Sequence, residues 1–194
     1  PSQLAKENRK FIYKVVKTGA RAREYEDALL WLEEAGLVYR VYNASKPGLP
    51  LSAYRDLSSF KLFAFDSGIL RRLAKLSPEV ILAGHSGYTE FKGALAENAI
   101  LQALVPQFDE KPYYWTSGNK AEVDFLIQTS SKIIPVEVKS EHRVSGKSLS
   151  VYHKKFNPDL RIRFSLNNLH HENGLINIPP LLADWTKKII ELNR

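Results

Sequence analysis

The chain has 194 residues, of which 44% are hydrophobic and 25% are charged, a composition typical of a globular protein and unlike that of a disordered or fibrous chain. It contains no cysteine, which excludes disulfides, thiolate catalysis and Cys-ligated zinc. The net charge of +7 is uneven: residues 1–60 carry +3, residues 61–141 carry −1 and residues 142–194 carry +5. Two basic flanks suit a polyanion such as nucleic acid, although an ordinary solvated surface is the alternative explanation.

The N-terminal third alternates between helix and strand. In chain order, we predict a helix from Ser2 to about Lys10, a brief strand over 11–16, a helix over 20–35 closed by Gly36, a strand over 37–42, a turn over 46–50 and a strand over 60–65. Spacings of three and four place one apolar set on the buried face of the long helix: Ala22, Tyr25, Ala28, Leu29, Leu32 and Ala35. This order indicates a partial winged helix over residues 1–66; a plain α+β packing module is the alternative.

Residues 67–194 are predicted to form a second domain of the α/β class. Its expected elements are helices over 66–76 and 89–104, strands over 113–116, 122–128 and 133–139, a helix over 145–156, a strand over 161–166 and a closing helix over 181–192. The short turns between the first three strands indicate an antiparallel meander. The helix before the fourth strand is long enough for a crossover connection.

Two of these strands carry the residues best suited to chemistry. Side chains alternate between the two faces of a strand, so Glu137 and Lys139 share one face while Val136 and Val138 take the other. If the two strands form a hairpin, Asp124 meets Glu137 and Lys139 at one edge of the sheet. Two carboxylates are suitable ligands for Mg²⁺, and a lysine can orient the attacking water or neutralise a phosphate. A helix acid often completes such a site; Glu97 is the candidate and Glu90 the reserve.

An Asp, a gap and then Glu-x-Lys on the following strand resemble the PD-(D/E)xK, or restriction-endonuclease-like, superfamily, whose core is αβββαβ. More narrowly, four segments are similar to an uncharacterised domain that forms the C-terminal half of many bacterial and archaeal AAA-type ATPases. These segments are residues 93–98, 114–115, 121–125 and 135–140. In such proteins an ATPase domain comes first and a winged-helix segment follows, and residues 3–8 and 22–28 resemble this linking region.

The resemblance implies a Mg²⁺- or Mn²⁺-dependent nuclease acting on DNA. It assigns the metal ligands to Asp124 and Glu137, the lysine to Lys139 and the helix acid to Glu97. The residue before Asp124 is Val123 where the superfamily often has proline. The alternative is a non-catalytic DNA-binding or regulatory module that works with an N-terminal ATPase domain of the same parent chain.

The predicted winged helix suggests a second set of DNA contacts. Arg21 and Arg23 begin the long helix, and the N-terminal residues of a recognition helix read the major groove. Together with Lys14 and Lys17 they are the candidate DNA-binding residues, and an interface with the ATPase half is the alternative use of this segment. A third possibility is a winged-helix transcription factor, for which residues 89–166 would be dispensable.

Several other motifs are rejected. Residues 145–148 resemble part of a P-loop, but Glu141 occupies the position of its first glycine, so no ATP site is expected in this chain. Residues 84–88 miss the nucleophile-elbow spacing. His170 and His171 are expected in an exposed loop, and the aromatic run 113–115 is expected to pack in the core rather than to stack on bases.

The apolar runs and the first residues of the chain indicate whether it carries a membrane helix or a signal segment. No apolar run approaches the ~20 residues of a membrane helix, and the first residues carry no apolar signal segment. We therefore expect a cytoplasmic protein without a membrane partner. Because the sequence begins with Pro1 and contains no methionine, we expect it to be a piece of a longer protein.

Overall fold

The computed structural model describes residue 4 and residues 10–16, 21–82, 89–118, 121–140 and 146–193. The chain divides into two compact units. The first comprises Pro1–Val41 and Ser58–Ala99, and the second comprises Tyr42–Leu57 and Ile100–Arg194. Among the described residues, every helix is too short or too polar to cross a bilayer.

The described part of the chain contains α-helices, strands and short 3₁₀ turns. The helices are α1 (Tyr13–Val16), α2 (Ala22–Glu34), α3 (Ser67–Leu73), α4 (Pro78–Leu82), α5 (Thr89–Leu104), α6 (Lys147–Phe156) and α7 (Thr186–Leu192). The strands are β1 (Val38–Ala44), β2 (Arg55–Ala64), β3 (Tyr113–Thr116), β4 (Glu122–Gln128), β5 (Ile133–Val138), β6 (Arg161–Phe164), β7 (His170–Glu172) and β8 (Leu175–Ile178). The predictions for α5, β3 and β4 are confirmed at both ends.

The eight strands form one mixed sheet in the order β2-β1-β3-β4-β5-β6-β8-β7. Strands β3, β4 and β5 are consecutive antiparallel neighbours, and β5 pairs with β6 in parallel. Helix α6 connects β5 to β6, because a parallel pair needs a crossover. The predicted meander with a crossover is therefore confirmed, and the α/β class holds.

In the first unit, the buried face of α2 differs from the predicted one. Leu29 is buried and Tyr25 half-buried, but Ala28, Leu32 and Ala35 are exposed. The predicted helix itself is confirmed, and Gly36 ends it with a positive φ of 70°.

The buried cation Arg40 explains this rotation of α2. It lies on β1 and donates to Glu26 at 2.5 Å, and its Nε lies 3.5 Å from Glu33. Because Glu26 and Glu33 are seven residues apart, they share one side of the helix. Arg40 also stacks over the Phe60 ring, with its guanidinium carbon 4.8 Å from the centroid. Pairing a buried charge thus outweighs apolar periodicity.

The first unit also contains a side-chain bridge between α5 and β2. The buried amide of Asn98 accepts from the backbone N–H of Ala64 at 2.9 Å and donates to the carbonyl of the same residue at 3.0 Å. By bonding both the N–H and the carbonyl of one residue, the amide makes the two hydrogen bonds that a neighbouring strand would otherwise make. It satisfies two buried groups that need partners.

Two predicted elements need correction, and two observed elements were not predicted. The strand predicted over 11–16 is wrong, since Tyr13–Val16 is helical. The closing helix is two elements, a 3₁₀ helix over Pro180–Trp185 and then α7. Helix α4, which begins with a proline, was not predicted. The hairpin of β7 and β8 was not predicted, because its strands are only three and four residues long. The helix predicted over 2–10 lies mostly outside the described residues.

The second unit has an aromatic and aliphatic core. Trp115 meets the rings of Tyr152 and Phe156 edge-on, at centroid distances of 5.2 and 5.4 Å. Burial raises the pKa of Tyr152 far above its ordinary value, so the phenol stays neutral. The buried residues of β4 and β5 include Val123, Phe125, Val136 and Ile134, and β5 is buried on both faces. Alternation along each strand places Asp124 and Glu137 on the face opposite to these four residues.

Candidate functional site

The register of β4 and β5 places the predicted acids side by side. Phe125 is paired with Val136 and Leu126 with Pro135 in an antiparallel ladder. Continued by one position, this register puts Asp124 opposite Glu137. Opposite residues of an antiparallel pair project to the same face of the sheet. On this register the two acids lie on the face away from Phe125 and Val136, and their joint role as a site stays a prediction.

Asp124 is held at this position by the backbone of the next strand. Its Oδ2 accepts a hydrogen bond from the N–H of Val138 at 2.7 Å. A charge-assisted bond of this kind is stronger than a neutral one. The bond fixes the half-buried carboxylate of Asp124 against β5 at the end of the ladder.

Glu137 is a buried carboxylate held by two cations. Only 1% of the residue is exposed. The Nζ of Lys139 lies 3.1 Å from its Oε1, and the Nε of Arg163 lies 3.3 Å from its Oε2. The side chain of Lys139 is 32% exposed, whereas that of Arg163 is 15% exposed. Together with Asp124, these residues form a cluster of two acids and two cations whose formal charges sum to zero. Solvent reaches the cluster at Lys139.

Arg163 is the site residue that sequence reasoning missed. Strand β6 pairs with β5 in parallel, with Arg163 next to Glu137. The strand over 161–166 was predicted, and in the structure Arg161 and Arg163 alternate with the buried Ile162 and Phe164. What the sequence did not supply was the register between strands that are far apart in the chain. Gly146 at the start of α6 leaves room for Arg163, because a Cβ there would collide with the guanidinium.

The two candidate helix acids, Glu97 and Glu90, are described only in part. Glu97 lies half-buried on α5 in the first unit. The side chain of Glu90 is outside the described set. Within the part of the chain that the structure describes, no three His, Asp or Glu side chains gather as a metal-binding group. The assignment of Glu97 as a supporting acid stays a prediction.

The candidate DNA contacts are partly described. Arg21 and Arg23 are exposed at the N-terminus of α2, where a ligand in solution can reach them. The N–H of Arg21 donates to the carboxylate of Glu24 at 3.3 Å and so begins the helix. Lys17 and the side chain of Lys14 lie outside the described residues. The DNA-binding role of all four stays a prediction.

The rejected motifs have mixed outcomes. His170 and His171 are exposed, but they lie on β7 rather than in a loop, and the Nε2 of His170 is 3.3 Å from Glu172. The aromatic run of β3 is buried, which confirms its role in packing. Residues 83–88 and 141–145, which contain most of the two glycine-rich motifs, lie outside the described residues.

Two protein-family models match the chain, each over a different part of it. Residues 92–181 match a domain of unknown function (DUF4143), and residues 1–80 match another domain of unknown function (DUF8612). The first is typically found at the C-terminus of AAA-type ATPases, which agrees with the resemblance stated for residues 93–140. Neither the curated proteins nor the solved structures give a match.

Proposed function

We propose that the second unit carries a metal-dependent site for the hydrolysis of phosphodiester bonds in DNA. The observation that supports this most is the hydrogen bond from the Val138 N–H to Asp124, one residue after Glu137 on β5, with Lys139 in contact with that glutamate. The order α5, β3, β4, β5, α6, β6 is also that of the αβββαβ core of restriction-endonuclease-like proteins. We assign the domain to that superfamily on this basis.

The donor set fits Mg²⁺ in type and number. Mg²⁺ in proteins is commonly bound through one or two carboxylates together with substrate phosphates. Asp124 and Glu137 supply two carboxylates from rigid strands. The contacts of Glu137 with two cations leave acceptor capacity, since a carboxylate has about four lone-pair sites. A bound divalent ion also offsets the crowding of two acids on one face.

Each residue of the cluster has a role that follows from its contacts. Asp124 and Glu137 would hold Mg²⁺ or Mn²⁺, which when bound lowers the pKa of a coordinated water and stabilises charge on the phosphate. Lys139 is more exposed than Glu137 and Arg163 and directs its ammonium group toward Glu137. From there it can orient the attacking water or neutralise the phosphate. Arg163 acts as a positioning residue, because it fixes the orientation of the Glu137 carboxylate.

The remainder of the proposal concerns the parent protein. We propose that this chain is the C-terminal part of an AAA-type ATPase, with a winged-helix-like segment over residues 1–66 and the nuclease-like domain over 67–194. Its partners would then be DNA and the N-terminal ATPase domain. The match of residues 92–181 supports this arrangement. The exposed arginines at the start of α2 and the basic residues of the same segment are the proposed DNA contacts.

A second function, a non-catalytic DNA-binding or regulatory module, has one observation in its favour. Lys139 and Arg163 already compensate the charges of Asp124 and Glu137. A cluster that is balanced within the protein is stable without a metal. In that case its role is to hold β4, β5 and β6 together beneath a binding surface.

A cleavage assay with Asp124→Asn separates the two functions. Asparagine keeps the size of the side chain and an oxygen that accepts from the Val138 N–H, but it removes the negative charge. Supercoiled, single-stranded and branched DNA are incubated with Mg²⁺ or Mn²⁺. We expect cleavage by the unmodified chain and a loss of at least 100-fold in the variant, in line with the loss of a catalytic group.

The matched control is Asp184→Asn, an exposed acid of the same unit. It should cleave like the unmodified chain. DNA binding without cleavage in all three proteins would support the non-catalytic module instead. Equal cleavage by the unmodified chain and Asp124→Asn would contradict the proposed site.

A further inference from the structure

A cleft of about 390 Å³, lined mainly by residues with polar side chains, lies in the second unit next to the acid cluster. The registers of β5, β6, β8 and β7 explain its position. Glu137 pairs with Arg163, Arg163 with Asn177, and Asn177 with His170. Paired residues share a face of the sheet. A row of polar side chains therefore crosses from the acid cluster into the cleft, and Arg163 belongs to both.

Arg161 is the second arginine that lines this cleft. It stands two residues before Arg163, on the same face of β6 and about 6.6 Å away along the strand. Its Nη2 donates to the backbone carbonyl of Asn173. Among the described residues, no carboxylate lies within ion-pair distance of Arg161. Burial, with a smaller contribution from the charge of Arg163, lowers the pKa of Arg161 from its ordinary value.

The other side chains of the cleft are mostly engaged with one another. The amide of Asn177 donates to the carbonyls of Asn167 and Asn168, each at 3.0 Å, and its oxygen accepts from the Ser165 hydroxyl at 2.7 Å. These bonds shape the loop at the cleft wall. The one acid of the lining, Glu172, lies 3.3 Å from His170. Arg161 thus brings a half-buried positive charge into a cleft whose carboxylate has a different partner.

We infer that this cleft binds a phosphate group of a nucleic-acid strand, with Arg161 as the main contact. A guanidinium donates two parallel hydrogen bonds to an oxyanion, which suits a phosphodiester group. A bound phosphate would compensate the charge of Arg161 and reduce its repulsion from Arg163. The inference rests on the proposed function. The cleft would hold one phosphate of the same nucleic-acid strand whose phosphodiester bond is cut at Asp124 and Glu137.

The alternative role of Arg161 is purely structural. Its bond to Asn173 ties β6 to the tight turn between β7 and β8, where Gly174 has a φ of 70°. If the role is structural, replacing Arg161 changes the thermal midpoint of unfolding. Nucleic-acid affinity then falls no further than it does when another arginine is replaced. The phosphate role predicts a specific loss of affinity.

The test measures binding of a fluorescein-labelled single-stranded oligonucleotide in EDTA, so that cleavage does not interfere. The variants are Arg161→Gln, Arg161→Lys and Arg55→Gln, the last being an exposed arginine of the same unit. For Arg161→Gln we expect about 10-fold weaker binding and a salt slope reduced by about one. Arg161→Lys should recover part of the affinity, and Arg55→Gln should weaken binding less than 2-fold.

The outcomes separate this inference from the proposed function. Equal losses of affinity in Arg161→Gln and Arg55→Gln would overturn the inference. It would also be overturned if the loss of affinity in each variant simply followed its fall in thermal midpoint. Displacement of the oligonucleotide by a mononucleotide or inorganic phosphate at low millimolar concentration, lost in Arg161→Gln, would support a phosphate site. Oligonucleotide binding that is independent of Arg161, together with phosphate binding that requires it, would overturn the nucleic-acid assignment. Arg161-dependent binding by a chain that never cleaves DNA would keep the inference and refute the nuclease.

Discussion

Replacing Arg163 with methionine removes one of the two cations that hold the buried carboxylate of Glu137. Taking one partner from a buried ion pair costs about 3–5 kcal/mol when the other charge is left uncompensated. Here Lys139 stays 3.1 Å from Oε1 and is itself partly solvated. We therefore expect about half of that cost, a loss of about 2 kcal/mol in the free energy of unfolding.

A double-mutant cycle isolates the contribution of this pair. In the Arg163→Met background, Glu137→Gln should be less destabilising than in the unmodified chain by about 1–2 kcal/mol, because the neutral amide needs no cation. Urea denaturation at pH 7 measures the four unfolding free energies. Arg161→Met, which removes an arginine without a carboxylate partner, is the control and should be additive with Glu137→Gln. Additive losses for Arg163→Met and Glu137→Gln would refute the reasoning.

Three further predictions concern stability. The hydrogen bond from Arg40 lowers the pKa of Glu26 below its ordinary value of 4.5, so its stabilisation is present above that pH and lost as the pH falls through the folded-state pKa. Glu26→Gln should therefore lower the thermal midpoint at pH 7 and flatten its decline in acid. Asn98→Ala leaves two buried backbone groups without partners and should cost about 2–4 kcal/mol in urea denaturation. Gly174→Ala combines a positive φ with a Cβ position 2.5 Å from the Asp159 carbonyl, and should cost about 1–3 kcal/mol.

Matched variants control these three measurements. Glu34→Gln changes an exposed acid of the same helix and should leave the pH profile as it is. Asn168→Ala removes an exposed asparagine side chain and should cost less than about 0.5 kcal/mol. Gly36→Ala has a similar φ but open space around it, so it should cost less than Gly174→Ala. Equal effects in a variant and its control would contradict the corresponding prediction.

Local pattern was enough to predict most elements of the sheet region. Strands β3 and β4 are rich in aromatic and branched apolar residues, helix α5 has apolar residues on successive turns, and short turns separate the strands. The hairpin of β7 and β8 was missed because three residues are too few to show a pattern. The face of α2 was wrong for a different reason. A buried arginine on the next strand draws two glutamates inward, and such a long-range pairing outweighs helical periodicity.

The candidate site divides in the same way. Asp124, Glu137 and Lys139 could be proposed from the sequence because alternation places the last two on one face and a hairpin brings the first opposite. Arg163 could not, because its place depends on the parallel register of β5 and β6 across the crossover helix. For the same reason the cleft at Arg161 could not be predicted, since its walls come from β6, the loop after it and the unpredicted hairpin.

Metal binding tests the central claim most directly, because it does not depend on the choice of DNA substrate. The signal of free Mn²⁺ in electron paramagnetic resonance is titrated with the unmodified chain, Asp124→Asn and Asp184→Asn. The proposed site predicts one Mn²⁺ per chain, displaced by excess Mg²⁺, with affinity at least 10-fold weaker in Asp124→Asn and unchanged in Asp184→Asn. The same Mn²⁺ affinity in the unmodified chain and in Asp124→Asn would contradict a metal site at Asp124 and Glu137.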